Sequence, residues 1–147
     1  MTNTVLPLQK LDQTLETPSY AHVGDAGLDL RSSIDCTLKP GERMLVPCGI
    51  AVAIPSGYAG LVIPRSGLAI NHGLSIVNAP GLIDSGYRGE IKAILINTDQ
   101  QNDFQIQRGD RIAQLVIIQV PEIQIKYVDS LDASQRGEGG FGSSGKN

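Results

Sequence analysis

Apolar residues along this chain come in short runs separated by Gly, Pro, Asn and Asp, and they never hold a helical period over three turns. Ala51-Val52-Ala53-Ile54 and Leu61-Val62-Ile63 flank Pro55-Ser56-Gly57-Tyr58, a pattern that predicts a hairpin. Ile91 to Ile96 and Ile112 to Val120 are β-branched and strongly apolar, as central strands are. A further turn, Lys39-Pro40-Gly41-Glu42, falls between Thr37 and Pro47. The one helix the pattern allows is short: Ser66 as its cap, Leu68-Ala69-Ile70 inside, and Gly73 to end it.

Composition shifts near Asp129, after which Gly, Ser and charged residues dominate with one aromatic, Phe141. The reading is a β-rich body over residues 1–128 followed by a flexible Gly-rich C-terminal arm over residues 129–147. No internal repeat is present. So many short strands predict an all-β fold, a jelly-roll-like β-sandwich with at most one short helix.

The 147 residues suffice for one domain with a real core. Hydrophobic residues make up 41% and charged residues 18%, a globular balance, while aromatics at 4% leave the core to Val, Ile, Leu and Ala. The formal net charge of −3 comes without any dense Lys/Arg run, so nothing resembles a nucleic-acid-binding surface. An anionic ligand would need cations concentrated at one site. Cys36 and Cys48 form no CxxC pair and are expected as two free thiols. His22 and His72 stand alone, without metal-ligand spacing. Met1 to Leu11 lacks the charge and apolar pattern of a signal peptide, and no apolar run approaches a membrane span. The expected location is the cytoplasm, with no membrane contact.

Several short stretches carry chemistry, and each also has a plainer reading. In Ala26-Gly27-Leu28-Asp29-Leu30 an acid interrupts an apolar alternation; alone it reads as a solvated acid on a strand face. Pro64-Arg65-Ser66-Gly67 gathers backbone N–H groups, a hydroxyl and a guanidinium, as phosphate binding requires, but equally as a helix cap with an outward Arg. Asn78-Ala79-Pro80-Gly81-Leu82-Ile83-Asp84-Ser85-Gly86-Tyr87 contains ordinary hairpin-turn chemistry, yet its Asp, Asn and Tyr could supply a base, an amide reader and a stacking ring. Arg108-Gly109-Asp110 reads as a plain turn, and Gln114 in the following apolar strand needs a partner for its amide. The tail Arg136 to Gly145 lacks a Walker lysine, which excludes a P-loop; its Arg, aromatic and hydroxyls suit either a linker or a flap that stacks on a base and clamps phosphates.

Together, and in this order, these segments resemble the trimeric dUTPase family. The five stretches are Ala26 to Leu30, Pro64 to Ala69, Gly81 to Gly89, Gly109 to Gln114, and Arg136 to Gly145, with Ser144 standing where the family usually has Thr. The resemblance implies a homotrimer with active sites at subunit interfaces, cleaving dUTP to dUMP and pyrophosphate. That activity limits uracil incorporation into DNA and supplies dUMP for thymidylate synthesis. By the resemblance, Asp84 matches the base that activates water. Asn78 and the backbone at Gly81 and Ile83 match the uracil reader, and Tyr87 the ring under the deoxyribose. Arg65, Ser66, Gly67 and Gln114 match phosphate binders. Asp29 matches the acid that orders a water of the Mg²⁺ shell, and Arg136, Phe141, Gly142, Ser143 and Ser144 match the closing arm.

Elementary chemistry agrees with that set. A triphosphate repels nucleophiles, and Mg²⁺ offsets this while keeping much of its water shell, so one nearby acid serves where a protein cage is not needed. Two other readings differ. A dCTP deaminase would need a catalytic Glu near the base, and none stands beside Arg65-Ser66. A non-catalytic interaction module would leave the Asp84 segment and the tail without a role.

Overall fold

The computed structural model describes residues 4–139. Two four-stranded antiparallel sheets face each other, in an all-β, jelly-roll-like sandwich. The first contains β1 (Leu8–Lys10), β4 (Arg43–Val52), β8 (Glu90–Asn97) and β6 (Leu74–Ile76), in the order β1-β4-β8-β6. The second contains β2 (Gly27–Arg31), β10 (Arg111–Gln119), β5 (Tyr58–Ile63) and β7 (Gly81–Ile83), in the order β2-β10-β5-β7. A small ladder pairs β3 (Cys36–Leu38) with β9 (Phe104–Ile106). One helix, α1 (Ser66–His72), follows β5.

The two most apolar stretches become β8 and β10, each with a strand on both sides. Along β8 the alternation is strict: Ile91, Ala93, Leu95 and Asn97 are buried, while Glu90, Lys92, Ile94 and Ile96 face outward. The core joins these to Leu30, Leu38, Val46, Leu74, Ile106, Ile112 and Leu115, and among the described residues its fully buried apolar side chains are aliphatic, as the scarcity of aromatics predicts. Each such side chain contributes roughly 1.5–3 kcal/mol on burial. Asn97 is the polar exception, and it is satisfied. Its Nδ2 donates to Leu38 O (3.0 Å) and Asn102 O (2.8 Å), and its Oδ1 accepts from Asp99 N (3.0 Å).

Three local expectations change. Pro55-Ser56-Gly57-Tyr58 does turn, with Tyr58 N donating to Pro55 O at 3.1 Å, but it joins no hairpin. β4 and β5 lie in opposite sheets, so the segment carries the chain across the sandwich. The Asp84 segment likewise bridges β7 and β8 of different sheets. Continuous burial at the end of β4 marks a strand diving into the core, which alternation alone does not separate from a hairpin arm. Finally, Ser66 is the first helical residue and not the cap; Arg65 holds the cap position, without a side-chain cap bond. Gly73 ends α1 as predicted, at φ 65°.

Arg108-Gly109-Asp110 is a turn, with Asp110 N donating to Gln107 O at 3.0 Å. Cys36 is half-buried and Cys48 buried, and both are free. Burial raises both thiols, Cys48 to about 12. No described helix is long and apolar enough to cross a membrane. The last strand ends at Gln119, and the described residues beyond it, 120–139, form neither helix nor strand.

Candidate active site

β7 enters from Asn78-Ala79-Pro80, with a cis peptide before Pro80, and leaves into the turn Asp84-Ser85-Gly86-Tyr87. Tyr87 N donates to Asp84 O at 3.1 Å, closing that turn. Arg88 clamps it from outside, Nη1 donating to Ser85 O (2.6 Å) and Tyr87 O (2.8 Å). Tyr87 Oη donates to Glu90 O at 3.0 Å. Between this segment and the outer face of β8 lies a cavity of about 390 Å³, with Asn78, Gly81, Asp84, Tyr87, Glu90 and Lys92 on its walls. That volume suits a small organic ligand. Asn78, Gly81, Ile83, Asp84 and Tyr87, singled out from the sequence, are thus brought to one place. Ile83 is buried and anchors β7, whereas Asp84 and Tyr87 are exposed.

A second cluster forms on β2, β10 and the β5–α1 junction. Gln114 lies opposite Asp29 on one side and Ile63 on the other. Between Arg111 and Ala113 the β10–β2 register slips, two steps of β10 matching one of β2. That bulge has a chemical consequence. Residues three apart normally face opposite sides of a sheet, but the extra residue sets both Arg111 and Gln114 opposite the β2 residues Arg31 and Asp29, which share one face. Arg111 Nη1 donates to Asp29 Oδ2 at 3.1 Å, and Arg65 Nε lies 3.4 Å from Asp29 Oδ1. Arg65 Nη1 also donates to Arg111 O at 3.0 Å. The Gln114 side chain lies over Gly27, where a Cβ would stand 3.2 Å from Gln114 Cβ and 3.3 Å from its Nε2. Ser66 and Gly67 are exposed at the start of α1, with open space around Gly67.

Asp29 Oδ1 is buried and has no hydrogen-bond partner. Beyond its 3.4 Å ion pair with Arg65 this hard oxygen acceptor lacks a donor, which fits an ordered water of a hydrated cation. Among the described residues no group of three His, Cys, Asp or Glu comes together, so a protein cage for a metal is not built there.

The two clusters do not merge: none of Asp29, Arg65, Ser66, Gly67 and Gln114 lines the Asp84 cavity. Arg136 stands apart from both, exposed, with Nε donating to Gly139 O at 2.8 Å. Phe141, Gly142, Ser143 and Ser144 lie outside the described residues. Three side chains escaped the sequence reading: Glu90 and Lys92 on the cavity wall and Arg111 beside Asp29. The signal for Lys92 was present, a lone charge inside the apolar run Ile91 to Ile96. Arg111 needed the bulge, which no periodicity shows.

Comparison with known proteins identifies the family. The dUTPase family model matches residues 13–145. The deoxyuridine 5'-triphosphate nucleotidohydrolase of Thermobifida fusca is 56% identical over 138 residues, covering 94% of this chain and 77% of that protein. The enzyme of the same name from Corynebacterium glutamicum is 53% identical, covering 96% and 95%. Among solved structures, a mutant dUTPase of Staphylococcus bacteriophage 80alpha with dUpNHpp superimposes with a TM-score of 0.91 at 30% identity, covering 97% and 99%. A mutant dUTPase from phage phi11 of S. aureus, described for its coordination of a structural Mg(II) ion, gives 0.81 at 28% identity, covering 88% and 100%. With its family model spanning nearly the whole length, the chain belongs to the dUTPase family.

Proposed function

We propose that this enzyme, a dUTP diphosphatase, hydrolyses dUTP to dUMP and pyrophosphate through a water activated by Asp84, with Mg²⁺ on the triphosphate. The observation that carries the reading is the convergence of Asn78, the β7 backbone, Asp84 and Tyr87 on one cavity of nucleoside size. Asn78 and the backbone at Gly81 and Ile83 read the uracil edge. Tyr87 packs under the deoxyribose. Asp84, exposed at the end of β7, aligns the attacking water and takes its proton as the water oxygen bonds to phosphorus and pyrophosphate leaves. Arg65, Ser66, Gly67 and Gln114 bind phosphate oxygens by charge and hydrogen bonds. Asp29, whose Oδ1 has no hydrogen-bond partner on its own chain, would hold a water of the Mg²⁺ shell. When bound, the ion offsets the negative charge of the phosphates.

One chain carries these groups in two separate clusters, which supports a site completed between copies of a homotrimer. Exposed apolar side chains agree. Leu45, Val77 and Leu82, near the cavity, are 55%, 50% and 65% exposed. Ile123, Ile125 and Tyr127 alternate at 76%, 82% and 93% exposure, the spacing of one strand face without a cover. On this reading residues 1–128 form the catalytic body. Residues 129–147 form an arm that closes over a site, bringing Arg136, Phe141, Gly142, Ser143 and Ser144 to the nucleotide. The product dUMP serves thymidylate synthesis, and removing dUTP limits uracil in DNA, in a cytoplasmic setting.

Pyrophosphate release from dUTP and dCTP tests the reading. Cytosine presents a donor where uracil presents an acceptor, so polar groups that the bound base shuts off from water are left unpaired and kcat/KM falls by roughly 10⁴–10⁵. Comparable rates for the two nucleotides would exclude this base reader.

A further inference from the structure

We infer that Glu90 is a positioning residue that fixes the Tyr87 ring by tying it to a bulge in β4. Tyr87 is 45% exposed, so packing alone does not set its place. Two features do. Its ring lies across the backbone of Gly89, where any Cβ would collide with the phenol. Its hydroxyl donates to Glu90 O at 3.0 Å.

The side chain of the same Glu90 reaches the neighbouring strand. Pro47 pairs with Lys92 and Ala51 with Glu90, so three residues of β4, Cys48 to Ile50, stand opposite Ile91 alone. Such a bulge leaves ladder N–H groups without their usual carbonyl. Glu90 Oε1 accepts one of them, Gly49 N, at 3.0 Å. Gly49 is held from its other side as well, its carbonyl accepting from Leu11 N (2.8 Å) and Asp12 N (3.0 Å). At φ 68° it has no room for a side chain: a Cβ would stand 2.9 Å from Leu15 Cδ1 and 3.0 Å from Asp12 Cβ. The bulge is therefore a fixed point. Glu90 links it, through carboxylate and then carbonyl, to the phenol at the cavity mouth.

This rests on the proposed sugar-packing role of Tyr87, and the test separates the two. The ratio of kcat/KM for dUTP over UTP is measured, with melting temperatures, for Glu90→Gln, Glu90→Asp, Glu90→Ala and Tyr87→Ala. Gln keeps an acceptor at the right reach without the charge, and Asp keeps the charge one carbon short. The expected result is a near wild-type ratio for Glu90→Gln. Glu90→Asp and Glu90→Ala lose discrimination by roughly tenfold, as a loosened contact group does. Three results overturn the inference. Glu90→Asp and Glu90→Ala could lower the melting temperature yet keep the wild-type ratio while Tyr87→Ala narrows it, leaving Glu90 a purely structural brace. Glu90→Gln could behave like Glu90→Ala, making charge and not reach the operative property. Tyr87→Ala could leave the ratio untouched, in which case the sugar-packing role itself fails and Glu90 has no ring to position. Should Glu90→Ala not fold, the Gln and Asp variants decide between reach and charge.

Discussion

Arg65 Nε lies 3.4 Å from Asp29 Oδ1, an oxygen that is buried and accepts no hydrogen bond, while Arg111 occupies the other carboxylate oxygen at 3.1 Å. Two cations thus flank one carboxylate, each on its own oxygen, and only the contact of Arg111 is a hydrogen bond.

Asp29→Asn is therefore expected to raise the Mg²⁺ concentration for half-maximal activity by about 10–100-fold, the usual effect of removing an outer-shell partner of a metal. Its melting temperature should fall as well, since the largely buried carboxylate pairs with Arg65 and Arg111, so the Mg²⁺ titration is made below the melting range of the variant. A Mg²⁺ titration that superimposes on wild type would remove Asp29 from the ion's shell.

Asp84→Asn should lower kcat by about 10²–10⁴-fold and leave nucleotide affinity near wild type. The amide keeps the shape of the side chain and cannot take the proton. Single-turnover rates with the dissociation constant of a non-hydrolysable analogue measure both halves. Near-normal turnover would place the base elsewhere.

Much of this site was legible in the sequence because it sits in turns, where special residues are needed. Asp84, Tyr87 and Gly81 follow one another through β7 and its exit, so chain proximity foretold spatial proximity. β8 and β10 were legible as central strands because a strand with neighbours on both sides carries a long β-branched run. Pairing was not legible. The Pro55 and Asp84 turns look like hairpin turns locally, and only the sandwich as a whole sends their flanking strands into different sheets. Glu90 and Arg111 were missed for a related reason: their roles arise at bulges, where register departs from the alternation that sequence patterns report.

The N-terminal segment is fastened by Asp12, which accepts from Arg108 Nη2 (2.7 Å) and from Thr14 N (3.0 Å) and Oγ1 (2.9 Å). The Arg108 guanidinium and the Thr14 donors hold its carboxyl at about 2, below the usual carboxylate range. A depressed folded-state value adds stability above the unfolded value, and that stability is lost as pH falls through the folded one. The melting temperatures of wild type and Asp12→Asn should therefore differ at pH 6 and converge from about pH 4 down to about pH 2. A gap that stays constant across that range would show that the charge of Asp12 contributes nothing.

The arm is expected to act on a neighbouring subunit's site, and mixed trimers decide it. Beyond Gln119 the described chain runs without helix or strand, and Ile123, Ile125, Tyr127 and Leu131 find no cover on their own body. Such a segment gains most by lying on another copy, and it carries residues 135–147 with it. Two inactive variants provide the test: Asp84→Asn with an intact arm, and a chain ending at Ser134 with Asp84 intact. They are unfolded and refolded together so that subunits exchange. If base and arm come from different chains, a site can take Asp84 from one variant and the arm from the other. Random mixing at equal amounts then makes roughly a quarter of the sites complete, by the symmetry of a closed ring. If the arm folds back on its own body, no site holds both parts. Activity would then stay at the sum of the two separate mutants, and the crossing arm would have to be abandoned.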